Sequence, residues 1–292
     1  MEYVARSITF IAIYGISYGM VIFLISIGLV ITMGLMRVVN LAHGAFAALG
    51  GYFCTYLVTT HSVPFFAAVI FATAAVAIIS LGMEKAIYTR IYKATELDQV
   101  LLTIGLMFVA VAGLNFLFGP NVQPSRLSPT LEANIDLLGR SVQVYRLFIV
   151  AIGAVVVAGL WFLFENTSFG ARLRAAVDNR PMAQAIGIDV ASLYSKAFVL
   201  GSGLAAFGGA VGYGMLPIEP LYPFKYLTII MIVVALSGFG NMKGAAIVSV
   251  LVGIVDTAGR YFFPTYGAFV VYGFLIVYLL LRIEGGFKRK SA

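Results

Sequence analysis

The chain has 292 residues, of which 61% are hydrophobic and only 11% are charged, whereas a soluble globular domain carries about 25% charged residues. Folding in water cannot bury so much apolar surface, so the composition excludes a soluble protein and predicts a polytopic membrane protein. The net charge of +7 does not indicate nucleic acid, because membrane proteins carry excess Lys and Arg on their cytoplasmic connections. One cysteine excludes an intrachain disulfide, and two histidines argue against a His-rich metal site.

Nine apolar stretches resemble membrane-crossing helices, which need about 20 residues each. They are residues 7–33, 41–60, 64–82, 99–118, 147–164, 192–215, 224–238, 244–262 and 267–281. We therefore predict an all-α polytopic membrane protein in which residues 1–292 form one transmembrane domain of eight or nine helices. The stretch 224–238 is short, and glycines break the start of 41–60, so one segment is re-entrant in the eight-helix alternative.

The basic residues of the connections predict the orientation of these helices. One set of alternating connections contains Arg37, Lys85, Arg90, Lys93, Arg172, Arg174, Arg180, Lys243, Arg282, Lys288, Arg289 and Lys290, with Lys196 at the start of a span on the same side. The other set contains only Arg6, Arg126, Arg140, Arg146, Lys225 and Arg260. The richer set is predicted to be cytoplasmic, which places the N-terminus outside and the C-terminus inside. Residues 119–146 are then a periplasmic loop, with a short strand pair near 135–144.

A first candidate site is the loop 34–44, which continues into Gly50 and Gly51. Polar Asn40 and His43 stand beside small residues and interrupt an apolar region. Irregular backbone at membrane depth survives only where it lines a cavity or is buried in protein, and it often lies near a transport pathway. Two interpretations stay open: the residues Asn40, Ala42, His43 and Gly44 line or gate a pathway, or Asn40 simply caps the next helix.

A second glycine-broken segment, residues 236–245, lies in the other half of the chain. Its Gly238, Gly240 and Asn241 are further pathway candidates, since paired broken segments suit an inverted repeat. Asp256 follows inside an apolar run, and an intramembrane acid is a functional candidate by default. The alternative for this acid is a structural pair with Arg260, one helical turn later.

Three Gly-xxx-Gly spacings predict close helix contacts, because small residues let membrane helices approach one another. They are Gly15–Gly19, Gly208–Gly212 and Gly240–Gly244. The pair Glu84-Lys85, with Tyr88 and Arg90 after it, follows the third apolar stretch. On its own it is typical of a solvated cytoplasmic helix end with snorkelling side chains.

The most distinctive stretch is the polar, basic segment 167–190 between two long apolar runs. Helical spacing places Ala176, Arg180, Ala183 and Gly187 near one face, and such a small-residue face could enter a groove on another protein. Pro181 predicts a bend between two short helices. The alternative is a charged loop that serves only as a topology signal.

Together these motifs resemble the LivH-like permease subunits of branched-chain amino acid ABC importers. The stretch Asn40, Ala42, His43 and Gly44 matches a family motif, and the segment from Glu84 to Arg90 is similar to a second one, although Ile91 replaces its proline. Residues 236–245 look like a glycine-rich family stretch in which Ser237 replaces one glycine. The family's cytoplasmic loop motif is matched by Arg174, Ala175, Asn179, Ala183, Gly187 and Ile188.

The resemblance implies a transport subunit in the bacterial inner (cytoplasmic) membrane, with no catalysis of its own. Its expected partners are a second, LivM-like permease, two cytoplasmic ATPase subunits that hold ATP and Mg, and a periplasmic or extracellular solute-binding protein. Residues 165–191 would be the cytoplasmic coupling loop, in which Gly170, Arg172, Arg174, Ala175, Asn179, Ala183, Gly187 and Ile188 meet an ATPase.

The motifs that the chain lacks agree with this expectation. No Gly-x-x-x-x-Gly-Lys-[Ser/Thr] motif occurs in the sequence, so we expect the chain to bind no ATP, and no metal or other cofactor is expected either. The alternative is an ion-coupled secondary transporter or channel, with Asp256 as the clear candidate for ion coupling; a membrane scaffold would leave the broken segments unexplained. The family carries branched-chain and aromatic amino acids, amides and urea, and among these we expect aliphatic, branched-chain amino acids or other hydrophobic ones as the substrate.

Overall fold

The computed structural model describes residues 2–36, 38, 40–92, 94–137, 140–238 and 240–290. Its helices are α1 (Glu2–Met36), α2 (His43–Thr60), α3 (Phe65–Met83), α4 (Thr89–Ile91), α5 (Glu96–Phe118), α6 (Pro129–Glu132), α7 (Val144–Asn166), α8 (Ser168–Asp178), α9 (Arg180–Ala185), α10 (Val190–Gly212), α11 (Tyr222–Ser237), α12 (Met242–Phe262) and α13 (Gly267–Lys290). A π-helical segment, Glu84–Tyr88, joins α3 to α4. The predicted all-α polytopic fold is confirmed.

Each of the nine predicted apolar stretches overlaps one long helix. Within the described ranges, six helical segments are long and apolar enough to cross a membrane, and two shorter apolar helices accompany them. The six are Ser7–Gly34, Phe65–Ile91, Glu96–Phe118, Val144–Asn166, Val190–Gly212 and Met242–Phe262; the shorter two are Tyr222–Ser237 and Phe269–Leu280. The 16 residues of α11 span about 24 Å, less than the roughly 30 Å of a hydrocarbon core.

Helix α1 lies at the centre of the bundle, where it packs mainly on α12 and α10 and also contacts α7 and α11. In its most apolar window 78% of the residues are buried, compared with 17% in α5 and 22% in α7. The centre is therefore enclosed by protein, whereas α5 and α7 turn most of their side chains outward, as helices facing lipid do.

Glycines set the closest helix contacts around α1. A Cβ atom on Gly19 would lie 2.6 Å from the carbonyl oxygen of Ser249 in α12, and one on Gly208 would lie 2.8 Å from the backbone nitrogen of Ile25. The first two predicted Gly-xxx-Gly contacts are therefore confirmed. The third is wrong, because Gly240 precedes α12 in a turn with φ +75°.

The connections collect at two ends of the bundle, in the alternation that the basic residues predict. Met36, Tyr92 and Asn179 line one cavity at the end that we call the inner end. At the opposite, outer end, the Ser7 hydroxyl lies 2.9 Å from that of Tyr261. Among the basic residues counted for orientation, Arg37 and Lys93 lie outside the described residues, as do the side chains of Arg6, Arg282, Lys288, Arg289 and Lys290.

The outer connection between α5 and α7 contains the predicted strand pair. Strand β1 (Asn134–Leu137) pairs antiparallel with β2 (Arg140–Gln143), with Asn134 opposite Gln143. The hairpin leads directly into α7, so it helps to fix the point where that helix enters the bundle.

Candidate functional site

The broken segment Asn40–Gly44 is enclosed by protein. Asn40 is 2% exposed, and its Oδ1 accepts a hydrogen bond of 3.0 Å from the Tyr88 hydroxyl. The backbone N–H of Leu41 donates to Thr103 Oγ1 of α5 at 3.2 Å. Helix α2 starts after Ala42 without any side-chain cap. The interpretation of Asn40 as a helix cap is therefore wrong, because its side chain is used for a contact with a distant part of the chain.

The remaining residues of this segment contact two further helices. His43 is 1% exposed, and its Nε2 lies 3.0 Å from the carbonyl oxygen of Ile25 in α1, which requires a proton on that nitrogen. A Cβ atom on Gly44 would lie 3.0 Å from the carbonyl oxygen of Pro223 in α11, so glycine permits the close approach of α2 and α11. The segment thus joins α1, α5, α11 and the π-helical segment, and its role in a pathway stays a prediction.

The π-helical segment places two polar side chains inside the protein. Glu84 is 1% exposed and accepts hydrogen bonds from Ser195 Oγ (2.7 Å) and from the Tyr92 hydroxyl (3.1 Å). Tyr88 is fully buried. The expected solvated helix end is therefore wrong for Glu84 and Tyr88, although Lys85 is exposed. An extra residue in a helical turn changes which side chains face inward, and such turns are frequent at functional sites.

Tyr92 directly follows the membrane-crossing segment Phe65–Ile91, and its hydroxyl keeps its proton. Burial raises its pKa above the ordinary value of about 10, and the neighbouring Glu84 carboxylate raises it further. The hydroxyl therefore stays a hydrogen-bond donor to Glu84, whose other carboxylate oxygen accepts from Ser195 near the start of α10.

The basic segment forms α8 and α9, as the bend at Pro181 predicted. The Asn179 side chain accepts from the Met182 N–H at 3.1 Å and so caps α9, and the Asp189 side chain accepts from the Ser192 N–H at 3.1 Å and caps α10. Gly187 stands between them with φ +84°, a conformation that favours glycine. The Asn179 cap starts the second short helix, and the Asp189 cap starts the long helix α10.

The exposed face of α8–α9 differs from the predicted one. Ala176 and Ala183 are 1% and 2% exposed, so they pack against the rest of the chain while Arg180 and Gly187 face outward. The prediction of one exposed small-residue face is wrong, because α8 ends at Asp178 and the helical periodicity does not continue through Asn179.

The other residues predicted for this loop lie on both sides of α8–α9. Gly170 is buried, Arg172, Arg174 and Asn179 are exposed, and Ala175 and Ile188 are half-buried. Arg174 Nη1 also donates to the carbonyl oxygen of Phe164, near the end of α7. The loop is therefore anchored on α7 at one end and on α10 at the other.

Two exposed apolar side chains in α8–α9 were missed by sequence reasoning. Met182 is 60% exposed and Ile186 is 68% exposed, within a segment that is otherwise polar and basic. Ile186 directly follows α9, and its N–H donates to the carbonyl oxygen of Met182 at 3.1 Å, so the two residues lie one turn apart. The sequence does contain a sign of them, since Met182 and Ile186 are large apolar residues in a segment that is too polar to enter the membrane.

The second glycine-broken segment forms a turn between α11 and α12. Gly238 and Gly240 have φ values of +82° and +75°, and the Gly240 N–H donates to the carbonyl oxygen of Val30 at 3.1 Å. The Asn241 side chain accepts from the Gly244 N–H at 2.9 Å and caps α12. Asn241 itself is exposed. The turn lies at the inner end of the bundle. The role of Gly238, Gly240 and Asn241 in a pathway stays a prediction.

Asp256 lines a cavity at the outer end, far along the chain from the other candidates. Its carboxylate accepts two bonds from Arg260, of 2.7 and 3.1 Å, which confirms the structural pair that the spacing suggested. The cavity, which we call the outer cavity, has a volume of about 750 Å³. It lies between α1, α7, α11, α12 and α13 and is rich in tyrosine. Among the described side chains, no group of three His, Cys, Asp or Glu could hold a metal ion.

Long apolar helices, with a polar two-helix segment at one end and a polar cavity at the other, define a multi-pass membrane protein. The family model for the permease component of branched-chain amino acid transport systems matches residues 11–280, so the chain belongs to that family. It is therefore a transport permease.

Three relatives illustrate the similarity. The high-affinity branched-chain amino acid transport system permease protein BraD of Pseudomonas aeruginosa is 24% identical, with 93% of this chain and 92% of BraD covered. The probable branched-chain amino acid transport permease protein LivH of Methanocaldococcus jannaschii is 28% identical (91% and 86% covered). LivH of Escherichia coli K12 is 21% identical (93% and 92% covered). No solved structure matches the chain.

Proposed function

We propose that this chain is one permease subunit of an ATP-driven importer of branched-chain or other hydrophobic amino acids in a bacterial inner membrane. A second permease completes the pathway, two ATPase subunits bind ATP and Mg at the inner end, and a solute-binding protein delivers the substrate at the outer end. The family supports the permease role, and the names of the relatives support the substrate class.

The observation that carries this proposal is the exposed pair Met182 and Ile186 on α8–α9. Large apolar side chains on a polar segment at the end of a membrane protein are typical of a docking surface. Arg172 and Arg180 are exposed beside them, so the surface combines apolar anchors with positive charge. Residues 165–191 would thus be the coupling loop, with its contacts made by Met182 and Ile186 rather than by the buried Ala183.

The contacts around α10 would transmit a movement of this loop into the bundle. Asp189 caps α10, and Ser195, in the second turn of that helix, donates to Glu84 of the π-helical segment. Farther along the helix, a Cβ atom on Gly208 would contact the backbone of Ile25 in α1. Helices that pack backbone to backbone move together, so a displaced loop would tilt α1 and α10 as one unit.

The ion-coupled alternative finds less support. A coupling carboxylate must bind and release its ion, whereas both oxygens of Asp256 are engaged by Arg260. The buried Glu84 accepts from two hydroxyl groups at the inner end and lies far along the chain from the outer cavity. Because hydrogen bonds already occupy the carboxylates of Asp256 and Glu84, neither is free to bind a coupling ion. This favours alternating access that is driven by partner subunits.

The docking surface is tested by a single charge substitution. We expect Ile186→Asp to weaken binding of the ATPase subunit about 30-fold or more, because truncating or charging an interface anchor costs about 2 kcal/mol or more. Affinity is measured by titrating purified ATPase onto the permease complex. Ile135→Asp, in the exposed outer hairpin, is the matched control and should bind normally. Unchanged binding by Ile186→Asp and Met182→Asp would remove α8–α9 from the interface.

The energy source is tested by reconstitution. Alone in liposomes, the chain should neither hydrolyse ATP nor accumulate leucine under a proton or sodium gradient. With the second permease, both ATPase subunits and the binding protein, uptake should require ATP on the inner side. Accumulation by the chain alone would favour the ion-coupled alternative, and Asp256→Asn would then be the first variant to examine.

A further inference from the structure

Of the cationic side chains that line the outer cavity, not all have an acidic partner. Three cationic side chains, Arg146, Lys225 and Arg260, face the cavity. Lys225 pairs with Glu219 at 2.7 Å, and Arg260 pairs with Asp256 at 2.7 Å. Arg146 has no carboxylate partner among the residues that the structure describes. A cation without a counter-ion in a cavity attracts anions, because hydrogen bonds between ionised partners are stronger than neutral ones.

Other contacts of Arg146 position its guanidinium without neutralising it. The guanidinium carbon lies 3.7 Å from the centre of the Tyr14 ring, a cation–π contact. Nη1 makes one long hydrogen bond of 3.4 Å to Ser17 Oγ of α1. Because a guanidinium has five N–H donors in a rigid plane, donors are left for a ligand that accepts two bonds side by side. A carboxylate has that geometry.

The remaining walls fit an aliphatic group. Leu216 and Ile229 line the cavity as apolar side chains, and Tyr18 and Tyr226 add aromatic rings with hydroxyl groups. The volume of about 750 Å³ falls within the roughly 300–1,000 Å³ of small-molecule sites. The cavity thus combines an apolar patch with polar and charged groups that could orient a ligand.

We propose that Arg146 binds the carboxylate of the transported solute in the outer cavity, with the aliphatic part of the solute against Leu216 and Ile229. The site would take small aliphatic carboxylic acids, amino acids included, and would discriminate against neutral amides and urea. This inference rests on the proposed function, because it assigns a solute site to the pathway of a permease.

Two ligands that differ only in the carboxylate test the proposal. The purified complex of both permeases and the ATPases, without binding protein, is incubated with tritiated L-leucine. 4-Methylpentanoate and 4-methylpentanamide then compete for the site. We expect the carboxylate to compete about 10-fold to 100-fold better than the amide, as losing a charge-assisted bidentate contact implies. Equal competition, or no displaceable leucine binding at all, would overturn the proposal.

Variants of Arg146 assign the effect to this side chain. Arg146→Gln should lose the preference for the carboxylate, and Arg146→Lys should keep part of it, because the charge remains while the planar fork is lost. Arg126→Gln removes one positive charge from the exposed surface of the same outer connection and should bind as wild type does. If Arg146→Gln keeps the full preference while eluting as an intact complex, the assignment is wrong. If it fails to assemble, Arg146→Lys decides the same question.

Uptake by the complete importer separates this proposal from the proposed function. ATP-dependent leucine uptake together with equal binding of acid and amide would overturn the Arg146 site and leave the permease role intact. Uptake without ATP would overturn the energy source whatever Arg146 does.

Discussion

Two segments of the chain are alike in sequence and opposite in structure. The first runs Asn-Leu-Ala-His-Gly-Ala from Asn40, and the second runs Asn-Met-Lys-Gly-Ala from Asn241; each precedes a long helix. The Asn40 side chain is buried against Tyr88, 48 residues away, and leaves α2 without a cap. The Asn241 side chain caps its own helix. One residue type in similar local surroundings thus makes a tertiary contact in one half and a local contact in the other.

The residue two or three positions after the asparagine explains the difference. His43 can bury its ring because the neutral imidazole donates its one N–H to the carbonyl oxygen of Ile25, so the first segment folds into the bundle. Lys243 cannot bury its ammonium group at low cost and stays at the surface, near Trp161. The burial of the neighbouring side chain, and not the asparagine, decides which kind of contact forms.

Among the variants that test this comparison, Asn40→Leu should lower the free energy of unfolding the most. It leaves the buried Tyr88 hydroxyl without its acceptor, so we expect the free energy of unfolding to fall by about 2–3 kcal/mol. Thermal unfolding of the purified permease in detergent measures the change. The double variant Asn40→Leu with Tyr88→Phe removes both partners and should lose less than the sum of the single variants. Strictly additive losses would show that the bond contributes nothing.

Gly238→Ala should lower the free energy of unfolding by an intermediate amount. It tests whether the turn before α12 requires the positive φ of Gly238. A Cβ atom there would meet no atom within 4 Å, so the cost comes only from the backbone (φ 82°, ψ 152°), which essentially only glycine adopts, and should be about 1–3 kcal/mol. Gly82→Ala in α3 is the control, since its surroundings are equally open and its backbone is helical. That variant should be neutral or slightly stabilising. Equal effects of the two substitutions would contradict the assigned turn.

Asn241→Ala should have the smallest effect. It removes the cap of α12, which is worth about 1 kcal/mol at an exposed position. Asn241→Asp keeps an oxygen for the Gly244 N–H but loses the bond from Nδ2 to the carbonyl oxygen of Ser237 (3.2 Å), so it should recover only part of the loss. A loss as large as that of Asn40→Leu would mean that Asn241 also makes a contact within the bundle, and the contrast between the two segments would disappear.

Composition and periodicity were sufficient to predict the helices and part of their packing. The nine apolar stretches, the strand pair before α7, the bend at Pro181 and the Gly15–Gly19 contact all follow from local composition or short spacings. The Asp256–Arg260 pair was also within reach, because four residues separate its members. Interactions within one or two helical turns leave a signal in the sequence.

The partners of the buried polar groups could not be predicted in this way. Glu84 binds Ser195, 111 residues away, and Asn40 binds Tyr88 across 48 residues. The π-helical turn that brings Glu84 and Tyr88 inward has no periodicity of its own. The outward position of Met182 likewise depends on where α8 stops, which the cap at Asn179 decides. These features depend on tertiary packing, so spacing rules assigned them to the wrong face or to solvent.

The position of the single tryptophan gives the second segment a built-in optical probe. Trp161 is half-exposed, and its ring lies 5.7 Å from the Lys243 ammonium group, two residues beyond Asn241. Indole emission responds to a nearby charge and to water, and excitation that is selective for tryptophan collects it from one place between α7 and α12. A change in emission wavelength when partner subunits are added would report a changed environment at that place in the unlabelled protein. The first segment contains no tryptophan and gives no signal under that excitation.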